Sequence, residues 1–480
     1  MQAVTTAPHP IYLAGRWVES AERFDVPRPG RPGERAGSTF YASPEQYEEA
    51  VVAAVAVQPA LRALAAFERA RALQGIADGI AARREELGTV LASEAGKPIR
   101  DALTEIDRAA LTFHIAAGEA ERLGGEVIPL DLNAASRGRT GITKRVPVGP
   151  VAGISPFNFP LNLAAHKIAP AIAAGCPIVL KPASRTPLTM LLVAEIIDAA
   201  GLPAGAVSIL PMTRTLGDRL VEDSRFKLLS FTGSPDVGWK MKARAGKKKV
   251  VLELGGNAGV IVDASANLDW AVQRILVGAF SYAGQVCISV QRIFVHTDVY
   301  EAFLERFVAG AEKLRLGDPL DPATDVGPMI DEMVAARTQG WVADAVAGGA
   351  RVLTGGTADG AWLPPTIVVD APRDAKVCTE EAFAPIVVVS RFMTITEAFE
   401  ALNDSAFGLQ AGLFTNDLAH GWAAFDALDV GGVILNDIPT YRIDHMPYGG
   451  VKDSGLGREG VRYTIEEMTE IRLLVVAQPQ

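Results

Sequence analysis

Three residues of different chemistry stand at the margins of apolar segments in this chain of 480 residues. Cys287, in "SYAGQVCISV", is one of only three cysteines. It follows a helical apolar run ("DWAVQRILVGAF") and precedes a strand-like one ("ISVQRIFVH"). A structural cysteine usually packs inside an element as a small hydrophobe, whereas one at a loop edge is placed to react as a thiolate. Glu253, in "VVLELGGN", lies in an apolar strand that ends in two glycines. A carboxylate there is ion-paired, neutralised or a base, because burying a lone charge is costly. Asn158, in "SPFNFPLN", sits between two aromatics and before a proline. Its amide either pins a turn or donates to a developing oxyanion. In "LLSFTGSPDVG" an apolar strand ends at Thr232–Gly233, Ser234 is placed as a helix N-cap and Pro235 fits the first helical position. Backbone N–H groups and the positive helix end would then face outward, where a dinucleotide pyrophosphate can bind. The same pattern also serves as a plain cap, since it is not a G-x-G-x-x-G fingerprint.

Elements of regular structure must bring these groups together, and the chain is long enough for two or three domains. Its 49% hydrophobic and 21% charged residues describe a soluble globular protein. A net charge of −10 disfavours nucleic acid or an anionic membrane as partner. No apolar run reaches membrane-spanning length and the N-terminus lacks a secretory pattern. Three cysteines make no disulfide framework, so a reducing, cytoplasmic setting is expected. Ser43, Pro44 and Gln46 form a capping-box pattern that opens a mostly helical stretch to about Leu123, broken at "GKPI" (96–99). A polar segment follows and becomes strand-like, an arm away from the core. From Val148 the rhythm is strand, turn, helix, repeated, which indicates a parallel sheet with crossover helices. A second alternating series runs from about 258 to 440. The tail "IRLLVVAQ" is a lone strand suited to pairing with another subunit.

Thiol, carboxylate, amide and dinucleotide turn are together what aldehyde oxidation through a thioester requires. The chain resembles the aldehyde dehydrogenase superfamily over essentially its whole length. The segments that carry the resemblance, in order, are "GKP", "SPFNFPL", "VLKPA", "FTGSPDVG", "LELGGN", "GQVC", "GDPLDPATDVGP", "EEAFAP", "FGLQAG" and "PYGGVKDSGLGREG". The resemblance implies an α/β fold of two doubly wound domains and a small β oligomerisation element. The dinucleotide-binding domain would be 1–129 with 148–254, the catalytic domain 255–455, and the oligomerisation arm and strand 130–147 with 456–480. It implies Cys287, Glu253 and Asn158 as the catalytic set, NAD or NADP as cofactor, no metal, and a homodimer or homotetramer. The adenosine end of the cofactor would meet Lys181 and Ser184, its pyrophosphate Gly233, Ser234 and Gly238, and its nicotinamide half Glu381, Phe383 and the backbone at Leu254. Ile154, Ser155, Pro156 and Phe157 would line the same groove. Cys176 and Cys378 are expected to be structural.

Departures from the family pattern suggest the chemistry of the partners. After "KPA" many NAD-preferring relatives carry Glu, whose charge repels a 2′-phosphate; here Ser184 stands, so NADP use is expected. Arg108, Asn162 and His166 occupy positions where relatives taking hydrophobic aldehydes are apolar, and Arg442 and His445 lie in "TYRIDHMPYGG", the loop that by resemblance walls the tunnel mouth. Two arginines and polar groups converging on the aldehyde tunnel would bind a short aldehyde with a carboxylate, phosphate or phosphonate at its far end. The same residues could instead pair with the chain's own acids, Asp107 and Asp444. A CoA-acylating dehydrogenase on this fold typically lacks the "ELGG" base, which is present here. A catalytically silent binding protein on the same fold is the other alternative, disfavoured because the catalytic set is intact.

Overall fold

The computed structural model describes residues 7–478. Its central strands are short, unbroken apolar runs buried on both faces, as a parallel sheet covered by helices requires. The first sheet has eight strands in the order Arg16–Val18, Ile11–Leu13, Val207–Ile209, Ile178–Lys181, Val151–Ile154, Leu228–Thr232, Lys249–Glu253 and Gly455–Leu456. The five inner strands, from Val207–Ile209 to Lys249–Glu253, are mutually parallel, while the outer ones pair antiparallel. A second sheet of seven strands runs Arg351–Thr354, Thr366–Val369, Ile386–Phe392, Val290–His296, Ala258–Val262, Gln410–Phe414 and Gly432–Leu435. All of its pairings are parallel except that of Arg351–Thr354. Each sheet carries its own apolar core. The architecture is thus two doubly wound α/β units.

Local sequence explains the helices that frame the site. Ser43 caps Pro44–Ala63 through a complete capping box with Gln46. Helix Asn162–Ala174 is buried along its whole length, which fits its apolar composition on every side. Helix Pro235–Arg244 begins with Ser234 as N-cap and Pro235 in its first turn. Among the described residues no single helix is long and apolar enough to cross a membrane.

The third sheet joins Thr469–Ala477, Arg139–Pro147 and Val127–Pro129 in antiparallel pairing. The arm therefore begins at Val127, before residue 130. The segment 456–480 does not act as one piece: strand Gly455–Leu456 pairs with Leu252 and Glu253 of the first sheet. Helix Val461–Glu467 then buries Val461 and Ile465, together with the following Met468, in the first core. Those three apolar side chains lie at helical spacing, so they draw this stretch onto the first domain and leave only Thr469–Ala477 to the arm.

Candidate functional site

Glu253 ends the last parallel strand of the first sheet, and Ala258 begins the second sheet. The four residues between them, "LGGN", cross from one domain to the other. Both glycines are needed for space. A Cβ on Gly255 would lie 2.3 Å from a carboxylate oxygen of Glu381, and one on Gly256 would lie 2.4 Å from the Cys287 carbonyl oxygen. Groups of the second unit can therefore approach this crossing closely.

Cys287 lies three residues before strand Val290–His296, in a loop under strain. Tyr282, Ala283 and Gly284 all have left-handed backbone, with φ of 49°, 52° and 66°. For the two non-glycine residues this conformation is unfavourable and needs the surroundings to hold it. The Tyr282 hydroxyl donates to Ala95 O at 2.9 Å, Ile330 N–H donates to the Gln285 side chain at 2.9 Å, and Asn158 Nδ2 donates to Gln285 O at 3.0 Å. Gly284 admits the Ala384 carbonyl, which would lie 2.2 Å from a Cβ there. The thiol is thus presented by a loop clamped from four sides.

Cys287 Sγ lies 3.1 Å from the Tyr448 hydroxyl. Burial pushes the thiol up to about 11, against the opposing hydrogen bond from Tyr448 and the Arg442 charge. Glu253 is buried and neither of its carboxyl oxygens has a hydrogen-bond partner. Burial, and then the charge of Glu459, raise its pKa well above the ordinary carboxyl value. Glu459 takes the cations: Lys167 Nζ lies 3.1 Å from one of its oxygens and Arg442 Nη2 3.3 Å from the other. Despite burial, Lys167, His166 and Arg442 hold Glu459 to about 2. Two neighbouring carboxyls thus have pKa values driven apart, the arrangement that separates a proton-holding group from a charged one.

Asn158 is buried at 3% exposure beside this loop. Its backbone carbonyl accepts from Lys97 Nζ at 2.7 Å, and Lys97 pairs with Glu105. The other Glu105 oxygen accepts the N–H groups of Leu161 and Asn162, at 3.0 and 3.1 Å, at the start of helix Asn162–Ala174. Lys97 Nζ also lies over the rings of Phe159 at 3.6 Å and Tyr282 at 4.4 Å.

A cavity of about 230 Å³ opens on Cys287, bordered by Arg108, Asn162, Arg274 and Arg442 as well as Lys97 and Tyr448. Arg108 grips Asp444 with Nε at 3.2 Å and Nη2 at 2.8 Å. Asn162 and His166, one turn apart, also reach Asp444, at 3.1 and 2.8 Å. Against burial, His166 and Arg108 hold Asp444 well below the usual carboxylate range. His166 is fully buried and does not border the cavity; it supports Asp444 from behind. Arg274 pairs with Asp437 at 2.6 Å. Arg442 Nε is buried and lacks a partner.

Most residues expected at a dinucleotide lie at or after the carboxyl ends of the first sheet's strands, where such ligands bind in α/β sheets, while Glu381 and Phe383 come from the loop before strand Ile386–Phe392 of the second sheet. Ile154 ends its strand, and Ser155 follows with its hydroxyl buried and unpartnered. Phe157, after Pro156, meets Phe383 edge-on at 5.9 Å. Lys181 ends the neighbouring strand with its amine lowered by burial to about 8 and only the Pro182 carbonyl near it, at 3.5 Å. Ser184 Oγ points to Met212 O at 3.5 Å, and Arg185 is held by Asp331. Gly233 and Gly238 pack tightly on Phe231 and Leu254, and Ser234 makes no side-chain cap bond. Glu381 accepts from Gly256 N at 2.9 Å, and burial lifts its pKa to about 7. An unpaired cation, an orphaned hydroxyl and an open helix N-terminus at these strand ends fit a nicotinamide dinucleotide. Cys176 is buried with Sγ toward Met468 O, and Cys378 is a half-buried free cysteine.

Sequence reasoning passed over Lys97, Glu105, Lys167, Glu459, Tyr448 and Arg274. Lys97, Tyr448 and Glu459 lay inside the segments "GKP" and "PYGGVKDSGLGREG", and their signal was the placing of charge or hydroxyl among glycines and prolines.

The family model described as "Aldehyde dehydrogenase family" matches residues 17–474. The 3-sulfolactaldehyde dehydrogenase of Priestia aryabhattai is 44% identical over 468 residues, 97% of each chain. A solved structure of aldehyde dehydrogenase 21 from Physcomitrella patens, in complex with the reaction product succinate, superposes with a TM-score of 0.97 at 46% identity, covering 99% of each chain. That of the glyceraldehyde-3-phosphate dehydrogenase GapN from Methanocaldococcus jannaschii, complexed with NADP, gives 0.92 at 40% identity, covering 96% of this chain and 100% of that one.

Proposed function

The chain belongs to the aldehyde dehydrogenase family, and from that premise we propose that it oxidises a short aldehyde bearing an anionic group to the carboxylic acid. The observation that carries the substrate class is the cavity wall: Arg108, Arg274 and Arg442 all border the space that opens on Cys287. Each arginine already has an acidic partner, but Arg442 Nε is left without one. A buried unmatched donor costs about 1–3 kcal/mol, and an acceptor on the substrate offsets it. The relatives named for sulfolactaldehyde and complexed with succinate support the same class.

In this reading the Cys287 thiolate attacks the aldehyde carbon, forming a carbon–sulfur bond and placing a negative charge on the former carbonyl oxygen. The Asn158 amide has a second hydrogen beyond the one given to Gln285 O, and with the Cys287 N–H it holds that charge. A bound NAD or NADP would supply the acceptor for the hydride lost from the adduct carbon, leaving a thioester on Cys287. Ser155, Lys181, Ser184, Ser234 and Glu381 are the residues that would hold it, and Ser184 leaves room for a 2′-phosphate. Glu253 then takes a proton from water, whose oxygen attacks the thioester carbon and frees the acid and the thiol. Its raised pKa suits it to act as that base.

Strand Thr469–Ala477 exposes Ile471, Leu473, Leu474, Val475 and Val476, and only one of its edges is paired, with Arg139–Pro147. An exposed apolar edge supports assembly with a second copy as a homodimer or homotetramer. Three free cysteines support a cytoplasmic setting.

The test compares initial rates of NADH or NADPH formation for 4-oxobutanoate and butanal. Preference for the anionic aldehyde by about a hundredfold in kcat/KM, or about 2.7 kcal/mol, is expected. Equal rates, or a preference for butanal, would show that the arginines serve the fold and that the substrate class is wrong.

A further inference from the structure

Tyr448 is 3% exposed, and its ring packs with Ile288, Leu409, Val286 and Cys287. Its main chain is tied to Glu459 by a reciprocal pair of hydrogen bonds, 3.0 and 2.7 Å. The Arg442 guanidinium carbon stands 3.7 Å from the ring centroid. Backbone, ring face and ring edge are therefore all fixed, and they fix the hydroxyl at 3.1 Å from Cys287 Sγ. Packing alone would be served equally by phenylalanine. The hydroxyl adds one polar atom to an apolar pocket, and the reactive sulfur is what it meets.

We propose that Tyr448 is a catalytic residue whose phenolic O–H donates a hydrogen bond to the Cys287 thiolate, favouring that form and aiming its sulfur into the cavity. The proposal rests on Cys287 being the nucleophile. In the step concerned, the S–H bond breaks, its proton leaves to solvent through the cavity, and the electron pair stays on sulfur. Burial and the Cys287 charge keep the tyrosine protonated far above neutrality, so it acts as a donor and not as the base. A cation on the ring face withdraws electron density and strengthens that O–H as a donor. The same guanidinium borders the aldehyde cavity, so Arg442 acts on the sulfur through Tyr448 while facing the substrate.

The experiment follows alkylation of Cys287 by iodoacetamide between pH 6 and 10 in the full chain, without aldehyde or dinucleotide, with each cysteine read separately by peptide mass spectrometry. Tyr448→Phe keeps the ring and its stack on Arg442. It also opens space beside the sulfur, so a change in access alone would accelerate alkylation. The expected result is alkylation slowed about tenfold across this range, the rising limb of the pH profile being displaced upward by about one unit. Coincident profiles, or faster alkylation by the variant, overturn the proposal while leaving a reactive Cys287 as nucleophile. A wild-type Cys287 no more reactive than Cys378 overturns both the proposal and the nucleophile assignment it rests on.

Discussion

Replacing Lys97 by methionine tests whether a buried ion pair sets the position of Asn158, the proposed oxyanion donor. Lys97 and Glu105 are both fully buried, and each makes a second set of contacts. Lys97 holds the Asn158 carbonyl, and Glu105 caps helix Asn162–Ala174. Removing one member of a buried pair costs about 3–5 kcal/mol, because the other charge is left without its partner. Unfolding entropy of about 2.1 cal/mol/K per residue gives about 1 kcal/mol/K for a chain of this length, so Tm should fall by about 4 °C. A displaced Asn158 amide should separately lower kcat by about 10²–10³-fold, the cost of losing one oxyanion donor, with KM changing much less. The double variant Lys97→Met with Glu105→Gln keeps an acceptor for Leu161 and Asn162 and removes the stranded charge. It should recover most of the lost Tm and none of the lost kcat. Calorimetry and steady-state rates on the two variants decide the matter. If kcat stays at the wild-type value while Tm falls, Lys97 is structural and the link to Asn158 is wrong.

Glu253→Gln should form the thioester and stop there, so one equivalent of reduced dinucleotide appears per subunit and intact-mass spectrometry finds the acyl adduct on Cys287; sustained turnover would refute Glu253 as base. The same variant carries a stability signature. A carboxyl whose folded pKa is raised above its ordinary value near 4.5 binds its proton more tightly folded than unfolded. Its contribution is therefore complete below that value and declines as pH rises toward the folded pKa. The Tm of Glu253→Gln relative to wild type should accordingly climb between pH 4.5 and 8, and a difference constant with pH would contradict a buried, proton-holding Glu253. Ser184→Glu should raise the KM for NADP at least tenfold, with little change for NAD, measured by initial rates with one aldehyde; equal change for both cofactors would place residue 184 away from the 2′ position.

Some of this was legible in the sequence because it is local. The strands after Val148 read clearly, since buried parallel strands such as Val151–Ile154 and Leu228–Thr232 are unbroken apolar runs. The Ser43 capping box and the Ser234–Pro235 helix start are likewise set within four residues. Partner choice at the site is not local. Arg108 has an acid beside it in sequence, but Asp107 points outward to Arg84, and Arg108 turns to Asp444, 336 positions away. His166 shares a helix face with Asn162, yet the face that looks polar in sequence meets Asp444 and leaves His166 sealed beneath it. Lys97 read as part of a helix break because its role depends on Glu105, Asn158 and two aromatic rings meeting around one amine. Composition cannot specify which of several buried cations faces which acid. That choice is made by three-dimensional packing, where an unmatched charge is excluded.

The return of the chain from the second sheet to the first has a temporal consequence. Arg442, Tyr448 and Glu459 lie on a stretch that pairs at Gly455–Leu456 with the strand carrying Glu253. A ribosome delivers the Cys287 loop and the whole of the first core's parallel strands well before this stretch emerges, and domains tend to fold as they appear. For that interval the nascent protein has Cys287 without the phenol and guanidinium that face it, and Glu253 without the carboxylate that raises its proton affinity. On the proposed mechanism the thiol gains its hydrogen-bond donor, and Glu253 its neighbouring carboxylate, only as this stretch closes onto the first sheet and completes the first core with Val461, Ile465 and Met468.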